Sequence, residues 1–187
     1  MPLPRDAASV FDRKNTPLMR LLDRADPQAL TAASPCPGWS GVDVVEHLIE
    51  SQRDFLLLAG ADMPDPAPTV EQLGAAMAWR THAEAVARQL ADDGFAEHPH
   101  RRGEDGPSVG RVFEATFGLD LLIHRWDIAR TLGGETTFSD RELDQIEEAL
   151  TASGEHLRAK GMLAPPVAVA ADASRQDRLV ALTGRRP

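Results

Sequence analysis

The chain has 187 residues, 42% hydrophobic and 26% charged, a composition that excludes a disordered segment and leaves ample length for one hydrophobic core. Its formal net charge of -9 argues against nucleic acid as a main partner, because phosphate binding wants a basic face. No apolar run reaches the about eighteen residues of a membrane helix, and Met1 to Arg20 lacks a signal-peptide core, so a cytoplasmic protein is expected. The single cysteine, Cys36, rules out an internal disulfide and fits a reducing compartment. It reads as a small buried hydrophobe, with a reactive thiol as the alternative.

Arg5 to Arg24 reads as a first helix, with Val10, Phe11, Leu18, Leu21 and Leu22 on one face. Pro17 either kinks this helix or marks a start, with Thr16 as N-cap and Pro17 at the first helical position. Asp26-Pro27 ends the element. Ser34-Pro-Cys-Pro-Gly-Trp39 is a rigid turn in which two prolines fix the backbone and Gly38 frees it. Trp39 is expected to plug the bundle end. Ser40 caps a second helix over Gly41 to Gly60, with Asp43 making an imperfect capping box. The inward stripe reads Val44, His47 or Leu48, Ser51, Phe55 and Leu58, which puts His47 at or beside the buried face.

Ala61 to Pro68 is a Pro-rich linker. Thr69, boxed with Gln72, caps a third helix to about Asp93. Leu73, Met77, Trp79 and Val86 form its apolar side; Arg80, His82, Glu84 and Arg88 form its wet side, so His82 is expected at the surface. Gly94 to Pro107 is a polar loop holding His98, Pro99, His100, Arg101 and Arg102. Two histidines two apart can bind metal, but with no third ligand nearby the solvated-loop reading is preferred.

Ser108 caps a fourth helix running to Leu132, where Phe113, Phe117, Leu121, Ile128 and Leu132 recur at amphipathic spacing and Gly133-Gly134 stops the run. Ser139 and Glu142 form a capping box for a fifth helix with Leu143, Ile146 and Leu150 as its apolar row. Gly161-Met-Leu-Ala-Pro-Pro166 enters an extended tail, and Ser174 with Asp177 opens a last short turn through Leu182. Val167 to Val169 is the sole strand candidate. These elements predict an all-α, up-and-down helical bundle in one domain, helical over about residues 5–158 with a C-terminal tail over 159–187.

Asp120 and His124 lie four residues apart on nearly the same stripe as the apolar row of the fourth helix, a rise of about 6 Å, so both point the same way. A carboxylate and an imidazole facing an apolar interior cost several kcal/mol unless something pairs them. A metal ion would do so, and so would a hydrogen bond to Asp120 from His124 or a first-helix arginine. With His47, two imidazoles and one carboxylate leave a tetrahedral ion one open position, the catalytic rather than the structural arrangement. Water or a thiol bound there loses its proton more readily. Trp126 faces away from this group and is expected to pack between helices. Asp127 and Arg130 form either a second shell or a helix–helix salt bridge, the latter preferred. Arg53, Arg80 and Arg125 read as long cations on solvated helix faces rather than as anion contacts.

PCPGW at Pro35 to Trp39, VVEHL at Val44 to Leu48 and DLLIHRWDIARTLG from Asp120 resemble the DinB-like metal-binding bundles. More closely, they resemble the branch that includes mycothiol-dependent maleylpyruvate isomerase. The tail from Gly161 to Gly184 resembles members of an actinobacterial subgroup described only as metal-binding proteins. The likeness spans most of the chain and implies a DinB-like four-helix bundle with an extra C-terminal helix and an extended tail. It also implies a divalent metal held by a helix-two histidine and a helix-four carboxylate-x-x-x-His, positions occupied here by His47, Asp120 and His124. Zinc is the first expectation, and nickel and iron fit the same ligands.

The resemblance further implies a transferase or isomerase reaction in which the metal activates a small-molecule thiol, such as mycothiol, toward an electrophile. A non-catalytic sensor or store is the alternative, with a fourth protein ligand such as His82; a homodimer is compatible with either. The chain departs from the isomerase in having Asp120 where that enzyme has Glu. The shorter side chain requires the ion to sit nearer helix four or the helices to pack closer. The isomerase's longer C-terminal region is not reproduced, and its substrate-contacting arginines find no residue-by-residue match.

Overall fold

Asp6 opens the first helix, α1 (Ala7–Leu22), by accepting the Ser9 backbone N–H at 2.8 Å, and the helix runs through Pro17 rather than starting there. The structure, a computed structural model, describes residues 6–67, 69–101 and 105–187. The expected helix start at Arg5, the linker's Pro68 and the loop's Arg102 lie outside the described residues. A 3-10 turn (Ala29–Thr31) and the Pro35–Trp39 turn, closed by Ser34 N–H to Trp39 C=O at 2.8 Å, lead into α2 (Gly41–Leu58). Both arms of the Ser40–Asp43 capping box form. The buried row of α2 is Val44, Val45, Leu48, Ile49, Gln52 and Leu56. His47 and Ser51 lie one step round from that row, toward a cavity, and Leu58, expected inside, is 89% exposed.

The third helix is interrupted. Gly74, with φ of 75°, breaks the expected single run into α3 (Val70–Leu73) and α4 (Ala75–Leu90), and a further turn forms α5 (Asp93–Ala96). Leu73 and Met77 face outward, while Trp79, Ala83, Val86 and Leu90 of α4 are inside. His82 is in phase with Trp79, Ala78 and Val86, so it is buried rather than on the wet side, with Nε2 at 3.2 Å from the Gln52 amide oxygen. Beside it the Trp79 indole N–H donates to Asn15 Oδ1 at 2.8 Å. His98 and His100 are half-buried; the His100 ring stacks on Phe55 at 5.0 Å instead of standing in solvent.

α6 (Val109–Thr131) follows Ser108, whose hydroxyl makes no capping bond. Expected to be amphipathic, α6 is buried on two sides because it serves two cores. Phe113, Phe117, Leu121 and Ile128 join the bundle core with α1, α2 and α4. Leu122, Ile123 and Trp126 meet Phe138, Leu143, Ile146 and Leu150 of α7 (Asp140–Ala159) and its entry, together with Leu179 and Val180 of α8 (Arg175–Leu182). Arg125 is buried with this second core, giving Glu142 a 2.7 Å hydrogen bond and covering the Phe138 ring. Arg80 pairs with Asp23 at 2.6 Å and Arg53 with Asp65 at 3.8 Å. Both expected caps of α7 and α8 form. Val167 makes no strand, though its N–H donates to Ala181 C=O at 3.1 Å.

Among the described residues the result is an all-helical bundle with an added α7–α8 layer and tail. α1 and α2 each pack on both α4 and α6, so the first two long helices occupy opposite corners. No helix among the described residues is long and apolar enough to cross a membrane.

Burial, and secondarily the nearby Arg53 charge, lowers the His82 pKa to about 4. The unfolded chain therefore binds a proton that the folded one refuses, and stability falls as pH drops from about 6.5 toward 4. Between pH 7 and 5 urea unfolding should register a loss of roughly 1–2 kcal/mol from this group. In His82→Gln, which keeps a partner for Gln52, that increment should vanish; an unchanged pH slope would refute the assignment.

Candidate metal centre

Two helices supply the polar groups. On α6, the spacing of Asp120, His124 and Asp127 stacks them along one stripe, so the His124 ring lies between two carboxylates. Its Nε2 is 3.2 Å from Asp120 Oδ1, and its Nδ1 is 2.9 Å from Asp127 Oδ2. From α2, His47 reaches across with Nε2 at 3.6 Å from Asp120 Oδ2, and its ring centre is 5.2 Å from that of His124. The structure thus brings His47, Asp120 and His124 together, with their ligating atoms within 4.8 Å of one another. Gly41 at the start of α2 contributes to this closeness: a Cβ there would meet Leu30 O and Thr131 Cγ2 at 2.9 Å. The shorter aspartate side chain at position 120 lies 3.6 Å from His47 Nε2 across the two helices.

Asp127 is fully buried and accepts a fork from Arg185, whose Nε donates to Oδ1 at 3.1 Å and Nη2 to Oδ2 at 2.8 Å. The same Nη2 is 3.0 Å from Cys36 Sγ. Asp127 therefore orients His124 from behind, and the helix–helix salt bridge expected of it is instead a bond to the C-terminal tail. Arg130, by contrast, lies over the Trp126 ring at 5.6 Å and 3.9 Å from Glu135, away from the centre. Cys36 is half-buried against charged groups rather than sunk among apolar ones. Trp39, expected to plug the bundle end, leans on the centre itself, with its ring 4.9 Å from His47 and 6.2 Å from His124.

The charges are mutually tuned. Burial works to raise Asp120, but the His124 charge and hydrogen bond, and then His47, hold it well below the ordinary carboxylate range. Burial likewise opposes the charged form of His124; the Asp120 charge and the bonds to Asp120 and Asp127 outweigh it and keep the imidazole well above its usual value. Asp127 is raised by burial and brought lower by the bonds from His124 and Arg185.

Among the described residues two sets could hold a metal ion: His47, Asp120 and His124, and Cys36, His124 and Asp127. In the first set the two imidazoles approach different oxygens of Asp120, His124 Nε2 lying 3.2 Å from Oδ1 and His47 Nε2 3.6 Å from Oδ2, which leaves the carboxylate between them within reach of a shared ion. At 3.6 Å the His47–Asp120 contact is an ion pair longer than a normal hydrogen bond. In the second set both Asp127 oxygens are already committed to Arg185 and His124, and a cation would have to displace the guanidinium. A cavity of about 490 Å³ opens on the first set, walled by Trp39, Phe117, Ile123, Met162 and Leu163 with Ser51 and Thr116 among its polar groups.

A helical bundle carrying two imidazoles and a carboxylate from facing helices beneath a cavity defines a class of candidate metal-site proteins. The sequence pattern of the mycothiol maleylpyruvate isomerase N-terminal domain matches residues 12–129, more than half of the chain, and the chain belongs to that family. No curated protein and no solved structure matches it.

Sequence reasoning alone passed over Trp39 and Arg185 as site residues and favoured a structural role for Asp127. The i, i+3 spacing of His124 and Asp127 was a usable signal; for Arg185 there was none.

In chelated, ion-free protein the folded state holds the His124 proton more tightly than the unfolded chain does. The stabilisation is fully present below the unfolded value of about 6.5 and is lost as pH rises through the raised folded value. The difference in unfolding free energy between wild type and His124→Gln, measured in EDTA across pH 5 to 9, should therefore shrink with rising pH; growth of that difference would contradict the arrangement.

Proposed function

We propose that the chain binds one divalent cation through His47 Nε2, an Asp120 oxygen and His124 Nε2, and that it acts as a thiol-dependent transferase or isomerase on a small electrophile. The observation that carries this reading is the convergence of three potential ligand atoms from two facing helices, within 4.8 Å of one another and lining a cavity. Zinc suits two imidazoles and one carboxylate, and nickel or iron fit the same set. The bound ion would supply Lewis acidity that converts a thiol in its open position to thiolate, the nucleophilic form, near neutral pH.

The protein's own residues do the rest. Asp127 accepts the Nδ1 proton of His124, which leaves Nε2 as the ligating atom. Trp39 packs on both imidazoles and limits water at the centre. The apolar walls at Phe117, Ile123, Met162 and Leu163 suit the carbon skeleton of an electrophile, while Ser51 and Thr116 lie one helical turn from His47 and Asp120. Mycothiol is the thiol the family's description names, and it is the first candidate here. No side chain among the described residues stands out as a separate general base.

The competing non-catalytic store needs a fourth protein ligand, and His82, the one suggested for it, is buried against Gln52 and is not among the cavity-lining residues. That favours the enzyme. Untagged protein should carry about one equivalent of divalent metal, lost in His47→Ala and His124→Ala, and stripping should occur near pH 5 as the imidazoles protonate. Turnover of an electrophile panel with mycothiol should be absent in His124→Ala. Wild type that takes up no divalent ion would refute the metal site, and metal retention without any thiol-dependent turnover would leave the non-catalytic reading.

A further inference from the structure

Arg185 belongs to the C-terminal tail, beyond residues 12–129 that match the family, yet its guanidinium ends on the carboxylate behind His124. We propose that Arg185 is a positioning residue of the His47–Asp120–His124 centre, acting through Asp127 to hold the His124 ring with Nε2 turned toward Asp120 and His47. The inference rests on the metal-site reading above and adds a part of the chain to it.

A carboxylate held by a single hydrogen bond swings about its last side-chain torsion, and a ring bonded to it swings with it. A carboxylate gripped by a two-pronged guanidinium has its plane fixed. Asp127 is gripped in this way, at 3.1 and 2.8 Å, and the gripped Oδ2 is the atom that accepts His124 Nδ1–H at 2.9 Å. In the ion-free protein Nε2 donates toward Asp120 at 3.2 Å; with Nδ1 committed as donor to Asp127, loss of the Nε2 proton leaves the ring's lone pair on Nε2. Asp127 is wholly buried and Arg185 is 9% exposed, so solvent screens this pair little, unlike a surface ion pair.

The tail is built to deliver the guanidinium. Arg158 Nη2 holds Leu182 C=O at 2.9 Å, and the Gln176 side chain bonds Phe138 N–H at 2.8 Å and Thr136 C=O at 3.0 Å. Gly184 then turns with φ of 86°, and a Cβ there would lie 2.5 Å from the Ala164 Cβ, so only glycine lets the chain pass. Arg185 Nη1 ties back to Thr183 C=O at 3.1 Å. The acid on α6 that the tail meets is the one bonded to His124.

The test uses the full chain. Zinc affinity, measured by competition with a chromophoric chelator, should fall about 10- to 100-fold in Arg185→Met, the range typical of lost outer-shell support of a metal ligand. Arg185→Lys keeps the balancing charge but not the fork, so it should stay folded and recover only part of the affinity. Gly184→Ala, which displaces the arginine without removing it, should show a loss in the same direction. The proton resonance of His124 Nδ1–H, sharp in the ion-free wild type, should broaden or disappear in Arg185→Met. Circular dichroism melts separate these effects from unfolding. Variants that melt lower but keep wild-type zinc affinity and the Nδ1–H signal would make Arg185 a purely structural tie and overturn the proposal. If wild type binds no zinc, the metal reading falls by itself, and the Nδ1–H signal still decides whether Arg185 sets the ring.

Discussion

An imidazole held between two carboxylates on a helix buried on both sides is the constraint that organises this molecule. Asp120, His124 and Asp127 cannot lie inside α6 without partners, since each buried charge left alone costs several kcal/mol. Each neighbour supplies one. α2 contributes His47 on one side, and the C-terminal tail brings Arg185 to the other. The bundle and the α7–α8 layer meet along α6, and the polar stripe runs between two apolar cores.

The two ends of that stripe are not equivalent, and the difference decides where chemistry belongs. At Asp127 every carboxylate oxygen is engaged by a donor and the residue is sealed from solvent. At Asp120 the carboxylate is partly open, its histidine neighbours converge on it, and the cavity begins. In the proposed reading the ion would lie in front of the His124 ring and the group that orients it behind, the usual division between a metal ligand and its support.

Much of the scaffold was legible locally. Ser40 with Asp43, Ser139 with Glu142 and Ser174 with Asp177 announce helix starts because the side chain and backbone that satisfy each other lie three residues apart. The pairing of Asp120 with His124 is of the same kind, fixed by helical pitch. Misreadings arose where a face had to be assigned without knowing the neighbour. His82 sits in a run of mixed polarity, and only the packing of α4 on α1 and α2 turns it inward beside Gln52. Leu73 is separated from α4 by the positive-φ break at Gly74, and Met77, two residues before the buried Trp79, falls on the outer face of α4.

Capping boxes and i, i+4 pairs are set by atoms within one or two turns of one another, and these the amino-acid order dictates directly. Which corner of the bundle each helix takes, and hence that His47 meets Asp120 and that Trp39 leans on the centre, follows from burying apolar faces that are distant in the chain. The tail shows the limit most clearly. Arg185 finds Asp127 across 58 residues and Cys36 across 149, and no periodicity connects such positions. Their meeting is an outcome of the folded packing, where a buried carboxylate must find a cation and the turn at Gly184 brings one to it.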